Sequence, residues 1–212
     1  MNLWSDFYDY ILPELPQVIT QLVDLHIISK TIEFMDKSGI MIVDHTPIDT
    51  VFNQATYTLA PPTGYDVARI HEMWFDGMDL AALSEDQMRG RYPQWNLNVD
   101  APRNYLSSDQ TTFRLVPIPD EASAGPGRIT LRVVLRPQRT QTGIDSWIYN
   151  KYVEVISAGV KGALMAMPAK PWSNPQLAVF YTQKFMEGIG AATIEINKGM
   201  QRATTRVRPV SP

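Results

Sequence analysis

Metal binding and acid–base catalysis need histidine, cysteine or paired carboxylates at set spacings. The sequence offers three histidines, His26, His45 and His71. His26 falls in a helical pattern, His45 in the turn "DHTP" and His71 in a strand pattern. None stands at ligand spacing from another histidine or an identifiable carboxylate. "HEMWF" (His71–Phe75) opens like a zinc-protease helix, but the second histidine is missing and the surrounding pattern is that of a strand. All three read as packed or surface residues. Cysteine is absent, which excludes disulfides, thiolate metal sites and a cysteine nucleophile and suits a reducing compartment. No GxSxG, P-loop or GxGxxG occurs, and "AGPG" (Ala124–Gly127) leads into a strand rather than a helix able to aim N–H groups at a phosphate. The carboxylate pairs Glu85–Asp86 and Asp120–Glu121 read as solvated members of polar loops. The aromatics, among them Trp74, Tyr92, Trp95, Trp147 and Phe180, are scattered. The strand "TLRVVLR" supplies only Arg132 and Arg136 as cations for base stacking. Core and subunit-interface use therefore suits the aromatics better. The expectation is a structural or interaction protein with no catalytic residue, no metal and no cofactor.

The 212 residues suit one domain, or one domain with an insertion. Hydrophobic residues at 44% and charged residues at 19% are a globular balance able to bury a core. A net charge of −3 argues against a basic face that grips nucleic acid. "MNLWSDFYDY" lacks a basic n-region and an apolar h-region, so no signal peptide is expected. Glu154 and Lys161 interrupt the longest apolar candidate, Tyr152–Met167, so no membrane span is expected. Charge is uneven along the chain. Asp6, Asp9, Glu14, Asp24, Glu33 and Asp36 stand against Lys30 near the start, whereas Lys198, Arg202, Arg206 and Arg208 have no acid among them.

These residues must be carried by elements that the patterning predicts. Ser5–Ile11 reads as a short helix with Ser5 as N-cap, broken by "LPELP". A second helix is expected from Pro16 to Lys37, with Val18, Leu22, Leu25, Ile28 or Ser29, Ile32 and Met35 on its apolar stripe and Gly39 as its stop. From Ile40 strands are expected: "ATYTLA", then "DVARIHEMWFDG" with Asp76-Gly77 as a two-residue hairpin turn and "MDLAAL" as its return. "NYLSS", "TTFRLVP" and "RITLRVVLRP" follow, the last two separated by the polar loop Pro119–Gly127. Ile129, Leu131, Val133 and Leu135 alternate with Thr130 and Arg132, so one sheet face is buried and one wet. Helical patterning returns after the cap pair Asp145–Ser146, with Ile148, Tyr152, Val155, Gly159 and Ala163 on one stripe. The small residues Ala158, Gly162 and Ala166 stand four apart, which lets two helices approach closely. Pro168, Pro171 and Pro175 then stiffen a turn around Trp172. Asn174 caps a last helix whose face is Leu177, Tyr181, Phe185, Gly188, Ala192 and Ile196. The two long helices should lie antiparallel because their connection is short.

The fold class expected is α+β: an antiparallel helical bundle with an inserted antiparallel β-module and a C-terminal extended arm. The boundaries are 1–39 for the N-terminal helices, 40–144 for the β-module, 145–198 for the helical hairpin and 199–212 for the arm.

The opening helix with "LPELP", "DKSG", "PIDTVFNQATYTLAPP", "WFDGMDL", the end of "LRVVLRP" and above all "GALMAMPAKPWSNPQLAVFYTQKF" resemble the tailed-bacteriophage head-to-tail adaptors, a family that includes the tail tubular protein of short-tailed phages. The resemblance runs from about Ile11 to Lys198. Residues 81–101 match nothing in it. It implies a ring, usually twelve-fold, docked on the portal protein, continued by a tail nozzle or stopper protein, with a channel through which DNA passes without specific binding. It implies a virion neck or tail component assembled in the host cytoplasm.

On this reading Arg202, Thr204, Thr205, Arg206, Val207 and Arg208 form a portal-binding arm able to add to a sheet edge and pair with carboxylates. A tail that touches nothing and an arm that lines the channel are the alternatives. Ala158, Gly162, Ala166, Trp172 and Phe185 pack the hairpin, and Trp172 plugs the end of the bundle. The rival to an adaptor is a soluble, non-viral binding module using its β-sheet as a ligand or partner site.

Overall fold

The computed structural model describes residues 1–91, 94–107 and 109–198. In chain order come β1 (Asn2–Leu3), a 3-10 turn (Trp4–Phe7), α1 (Tyr8–Ile11), a second 3-10 turn (Leu12–Glu14), α2 (Thr20–Ser38), β2 (Ile42–Asp44), β3 (Ile48–Thr50), β4 (Thr56–Thr58) and β5 (Tyr65–Phe75). They are followed by β6 (Met78–Asp79), β7 (Ala81–Ala82), α3 (Glu85–Arg91), β8 (Asn104–Leu106), β9 (Thr112–Val116), β10 (Gly125–Pro137), β11 (Gly143–Ile144), α4 (Ser146–Met165) and α5 (Pro175–Lys198). The fold is mixed α and β with several antiparallel sheets. It divides into two compact units, one of Met1–Ile40 with the chain from Pro137 onward, the other Met41–Arg136. The expected arm, 199–212, lies outside the described residues, as does Tyr92.

In the first unit the N-terminus is tied down by β1, which pairs antiparallel with β11 through Asn2↔Ile144 and Leu3↔Gly143. Position 143 must be glycine, since an added Cβ would lie 2.0 Å from the Asn2 carbonyl oxygen. Trp4 Nε1–H donates to the Gln141 carbonyl at 2.6 Å, and Tyr149 O–H to the Asp6 carbonyl at 2.9 Å. Ser5 is not the N-cap expected of it. Leu3 precedes the turn, and the Asp6 carboxylate accepts the Leu3 N–H at 3.1 Å.

α2 starts four residues later than the proline signal suggests. Gln17 sits at φ 65° and Ile19 is extended, so no helix can pass through them from Pro16. Leu15, just before this turn, is buried. The helix stops where expected, at Gly39 in the left-handed region, with its N–H on the Met35 carbonyl at 2.9 Å. Its buried face is Val23, Ile27, Thr31, Phe34, Met35 and Ser38 rather than the Val18–Leu22–Leu25 stripe. The helix carries two apolar faces, and the core face includes two hydroxyl residues that a hydropathy pattern passes over.

In the second unit β10 is the central strand of a five-stranded sheet. β2 and β3 pair with one side of it, β5 lies on the other, and β6 follows β5. Ile129, Leu131, Val133 and Leu135 are buried as their alternation requires and Thr130 is exposed, but Val134 is buried too, so the other face is wet only in part. Asp76 (φ 50°) and Gly77 (φ 79°) form the hairpin turn, and Arg128 forks onto the Asp76 carboxylate while its guanidinium lies 5.0 Å from the Phe75 ring centroid. "MDLAAL" is not one return strand. Met78–Asp79 pairs back on β5, Leu80 is buried, and Ala81–Ala82 leaves to pair parallel with β8 in the second sheet, whose order is β4-β9-β8-β7. The β-unit is thus not purely antiparallel. Glu85–Asp86 is no loop pair but the first turn of α3. Ser84 caps that helix, its Oγ accepting from Gln87 N–H (3.3 Å) while its own N–H donates to Gln87 Oε1 (2.9 Å).

Candidate assembly interface

The long hairpin is built from its ends inward. Asn174 caps α5, its Oδ1 accepting the Leu177 N–H at 3.1 Å and its carbonyl the Ala178 N–H at 2.9 Å. Pro175 takes the first helical position, where no N–H is needed. Asp145 precedes α4 without a side-chain capping bond, and the Ser146 hydroxyl instead accepts from the chain's amino terminus at 3.0 Å.

Contacts between α4 and α5 pair rising numbers with falling ones, so the helices run antiparallel. Val155 meets Gly188, Gly159 meets Phe185, and Gly162 meets Thr182. A Cβ at Gly162 would lie 2.7 Å from Thr182 Oγ1 and 3.0 Å from its backbone nitrogen, so the close approach depends on glycine there. A Cβ at Gly159 would stand 2.7 Å from the Phe185 ring. Ala158 is buried; α4 ends at Met165, and Ala166, its C-cap, is exposed and lines a groove with Ala178 and Val179 of α5. Phe185 is buried, and its ring centroid lies 6.5 Å from that of Phe34 on α2. Trp172 is half-buried, its Nε1 enclosed without an acceptor among the described residues. The expected α5 face also shifts. Ala178, Phe185, Ile189 and Ala192 are buried, whereas Leu177 is exposed.

Charged side chains tie the helices together. Lys161 Nζ reaches Glu14 Oε1 at 2.7 Å, the Tyr181 hydroxyl donates to the other carboxylate oxygen, and the Lys161 ammonium lies 4.3 Å from the Tyr181 ring centroid. Burial alone would raise the Glu14 carboxyl, but the hydrogen bonds from Lys161 and Tyr181 outweigh it and hold it below the ordinary 4.5. The bond to Glu14, helped by burial, pushes the Tyr181 hydroxyl up to about 12. A depressed carboxyl contributes stability that is present above its unfolded value of 4.5 and lost as pH falls through the folded one. Glu14→Gln should therefore lower the melting temperature at neutral pH, and the gap to the parent should close as pH drops below 4.5. Parallel melts of the two proteins across pH 7 to about 3 check this; a gap that persists in acid would detach the cluster from stability.

The groups singled out for chemistry stand apart. His26 is half-buried in α2, and burial, then Lys30, lower it. His45 Nε2 accepts the Ala60 N–H at 3.0 Å, which leaves Nδ1 as the donor to the Thr46 carbonyl. His71 lies on β5 with Nε2 4.0 Å from Glu72. Among the described residues no group of three histidines or carboxylates is placed to hold a metal ion, and no helix is long and apolar enough to cross a membrane. A cleft of about 570 Å³ in the second unit is lined by Val67, Ile70, Leu83, Glu85, Tyr105 and Asp109. Its carboxylates are engaged. Glu85 pairs with Arg89, and Asp109 accepts from both Thr111 and Thr112, which lower it to about 2. Asp109 is thus an ionised turn-builder, unsuited to proton transfer near neutral pH.

What sequence reading missed is the outer face of α5. Only four of its residues are buried, and Val179, Phe180, Met186 and Ile194 are exposed. The signal was present in the spacing, since these apolar residues fall off the predicted stripe and have no partner within it.

No curated protein matches the chain significantly. The family described as SU10 adaptor protein matches residues 10–210, including the stretch 81–101 that the sequence reading left unmatched. That match covers nearly the whole of the 212 residues, and with it the chain belongs to the SU10 adaptor protein family, the phage adaptors that are structural parts of the virion.

Proposed function

We propose that this protein is the head-to-tail adaptor of its phage. Copies form a ring, twelve-fold as adaptor rings usually are, seated on the portal and continued by a tail nozzle or stopper protein, with a central channel for DNA. The observation that carries the reading is the family match over residues 10–210, which spans both units and reaches into the arm. The helical segments 1–39 and 145–198 bear the ring, the β-module 40–144 makes subunit or distal-tail contacts through loops such as Pro119–Gly127, whose last three residues open β10, and 199–212 docks on the portal. A net charge of −3 supports passage of DNA without adhesion, because a channel wall that neutralised phosphates would hold the genome back.

Purified protein mixed with portal rings of the same phage should add one further ring coaxial with the portal. Negative-stain averages and particle masses read this directly. A protein that stays monomeric and leaves the portal mass unchanged overturns the reading.

A further inference from the structure

α5 turns a second apolar face outward. Val179, Met186 and Ile194 are 69%, 45% and 54% exposed. Their spacing of seven and eight places them on one line along the helix, with Gln183 and Gly190 between them. Phe180, 58% exposed, borders the line. A groove of about 510 Å³ opens at its N-terminal end between Ala166, Pro175, Val179 and Met186.

Gly190 is the informative residue. It is helical, its backbone needs no glycine, and a Cβ added there meets nothing within 4 Å. Gly188, two residues earlier, is explained within the chain, since its Cβ would lie 2.3 Å from Val155. A glycine inside a helix costs about 1 kcal/mol relative to alanine. Nothing in the described chain offsets that at position 190. A surface arriving from outside, close enough to need the missing Cβ, would.

We propose that the outer face of α5 seats the helical unit of a second copy of this chain, the neighbour in the ring; the inference rests on the ring reading above. Area is one argument for that occupant. The exposed side chains of the line and Phe180 present on the order of 400 Å² of apolar surface, a patch of the size that is often functional even on a monomer and about half of the roughly 800 Å² per partner of a stable interface. The exposed intervening residues of the same face, Gln183, Glu187, Gly190 and Ala191, extend it. The second argument is that the same unit carries another apolar patch sharing no residue with the first: Ile19 and Leu25 at the start of α2, 61% and 58% exposed, with half-buried Leu22 between them. A two-fold dimer that set the α5 line against itself would leave the other patch bare. Two different patches meeting head to tail use both, and such contacts close into a ring where the rotation between neighbours closes, as it does on a portal ring.

The chain contains no cysteine, so engineered ones report unambiguously. Leu25→Cys with Met186→Cys in one chain, oxidised after ring formation on portals, should yield a ladder of covalent multimers. Either substitution alone should yield none. Dimers from Met186→Cys alone, or no ladder from the pair, overturn the head-to-tail contact. Gly190→Leu should raise the melting temperature of the isolated chain by about 2–4 °C, because it removes a helix-interior glycine, and raise the concentration needed for rings at least tenfold. Rings at the parent's concentration in both Gly190→Leu and Met186→Glu remove the face from assembly. A Met186→Glu variant that keeps its rings but melts lower shows the face covered from within the chain, which also overturns the inference. Failure of the unsubstituted protein to form rings on portals is a different result and removes the adaptor reading itself.

Discussion

Phe185→Ala lowers the unfolding free energy by about 3–5 kcal/mol, as deletion of a fully buried aromatic does. The side chain is 1% exposed and fills the space left by Gly159, with Phe34 beside it and the Lys30 ammonium 5.4 Å from its ring centroid. Glycine at 159 has no side chain with which to fill the void, so the cavity persists instead of collapsing. The three helices α2, α4 and α5 meet at this ring, and the loss is felt by all of them. Phe180→Ala five residues earlier is the control. It is 58% exposed, and its removal should stay within about 0.5 kcal/mol in the isolated chain. Urea denaturation of both variants gives the comparison. A Phe185→Ala loss below 1 kcal/mol would mean that the hairpin does not pack through this residue.

If the proposed docking holds, removing Gln201–Pro212 should abolish binding to portals at moderate salt while the truncated protein still folds. The segment "QRATTRVRPVSP" carries Arg202, Arg206 and Arg208 without an acid, and it has no apolar stripe able to fold alone. Its threonines and valine favour an extended strand that adds to a sheet edge, and its arginines suit paired contacts with portal carboxylates. Ordering such an arm costs entropy, so one arm binds weakly; many arms acting from one ring give a durable joint. Full portal occupancy by the truncated protein would reduce the arm to a tail that touches nothing. Docking restored by added DNA would place the arm against phosphates in the channel instead.

Residues read for what they cannot do carried the exclusions. The lack of cysteine and the lone histidines were legible without coordinates, and so were the local stops and starts. Gly39, Asp76-Gly77 and Asn174-Pro175 act through their own backbone preferences, and each stands in the structure where the sequence placed it. The run "RITLRVVLRP" was legible as strand for a related reason: its alternation of two is a property of the extended chain itself; the structure begins β10 earlier, at Gly125, within what reads as the polar loop.

Tertiary structure decided which of two apolar faces a helix buries. α2 and α5 each carry a second apolar stripe, and periodicity alone gives both stripes equal claim. The choice falls to partners distant in sequence: Tyr152 against Phe34, Gly159 against Phe185, Val155 against Gly188. It likewise decided that Gln17 turns the chain before α2, where Leu15 is buried, and that "MDLAAL" divides between two sheets, because Ala81–Ala82 pairs with β8, more than twenty residues further along the chain. Local signals set where elements begin and end, since those energies arise within a few residues. The face an element buries is set by long-range packing, and no single window of sequence contains both sides of that contact.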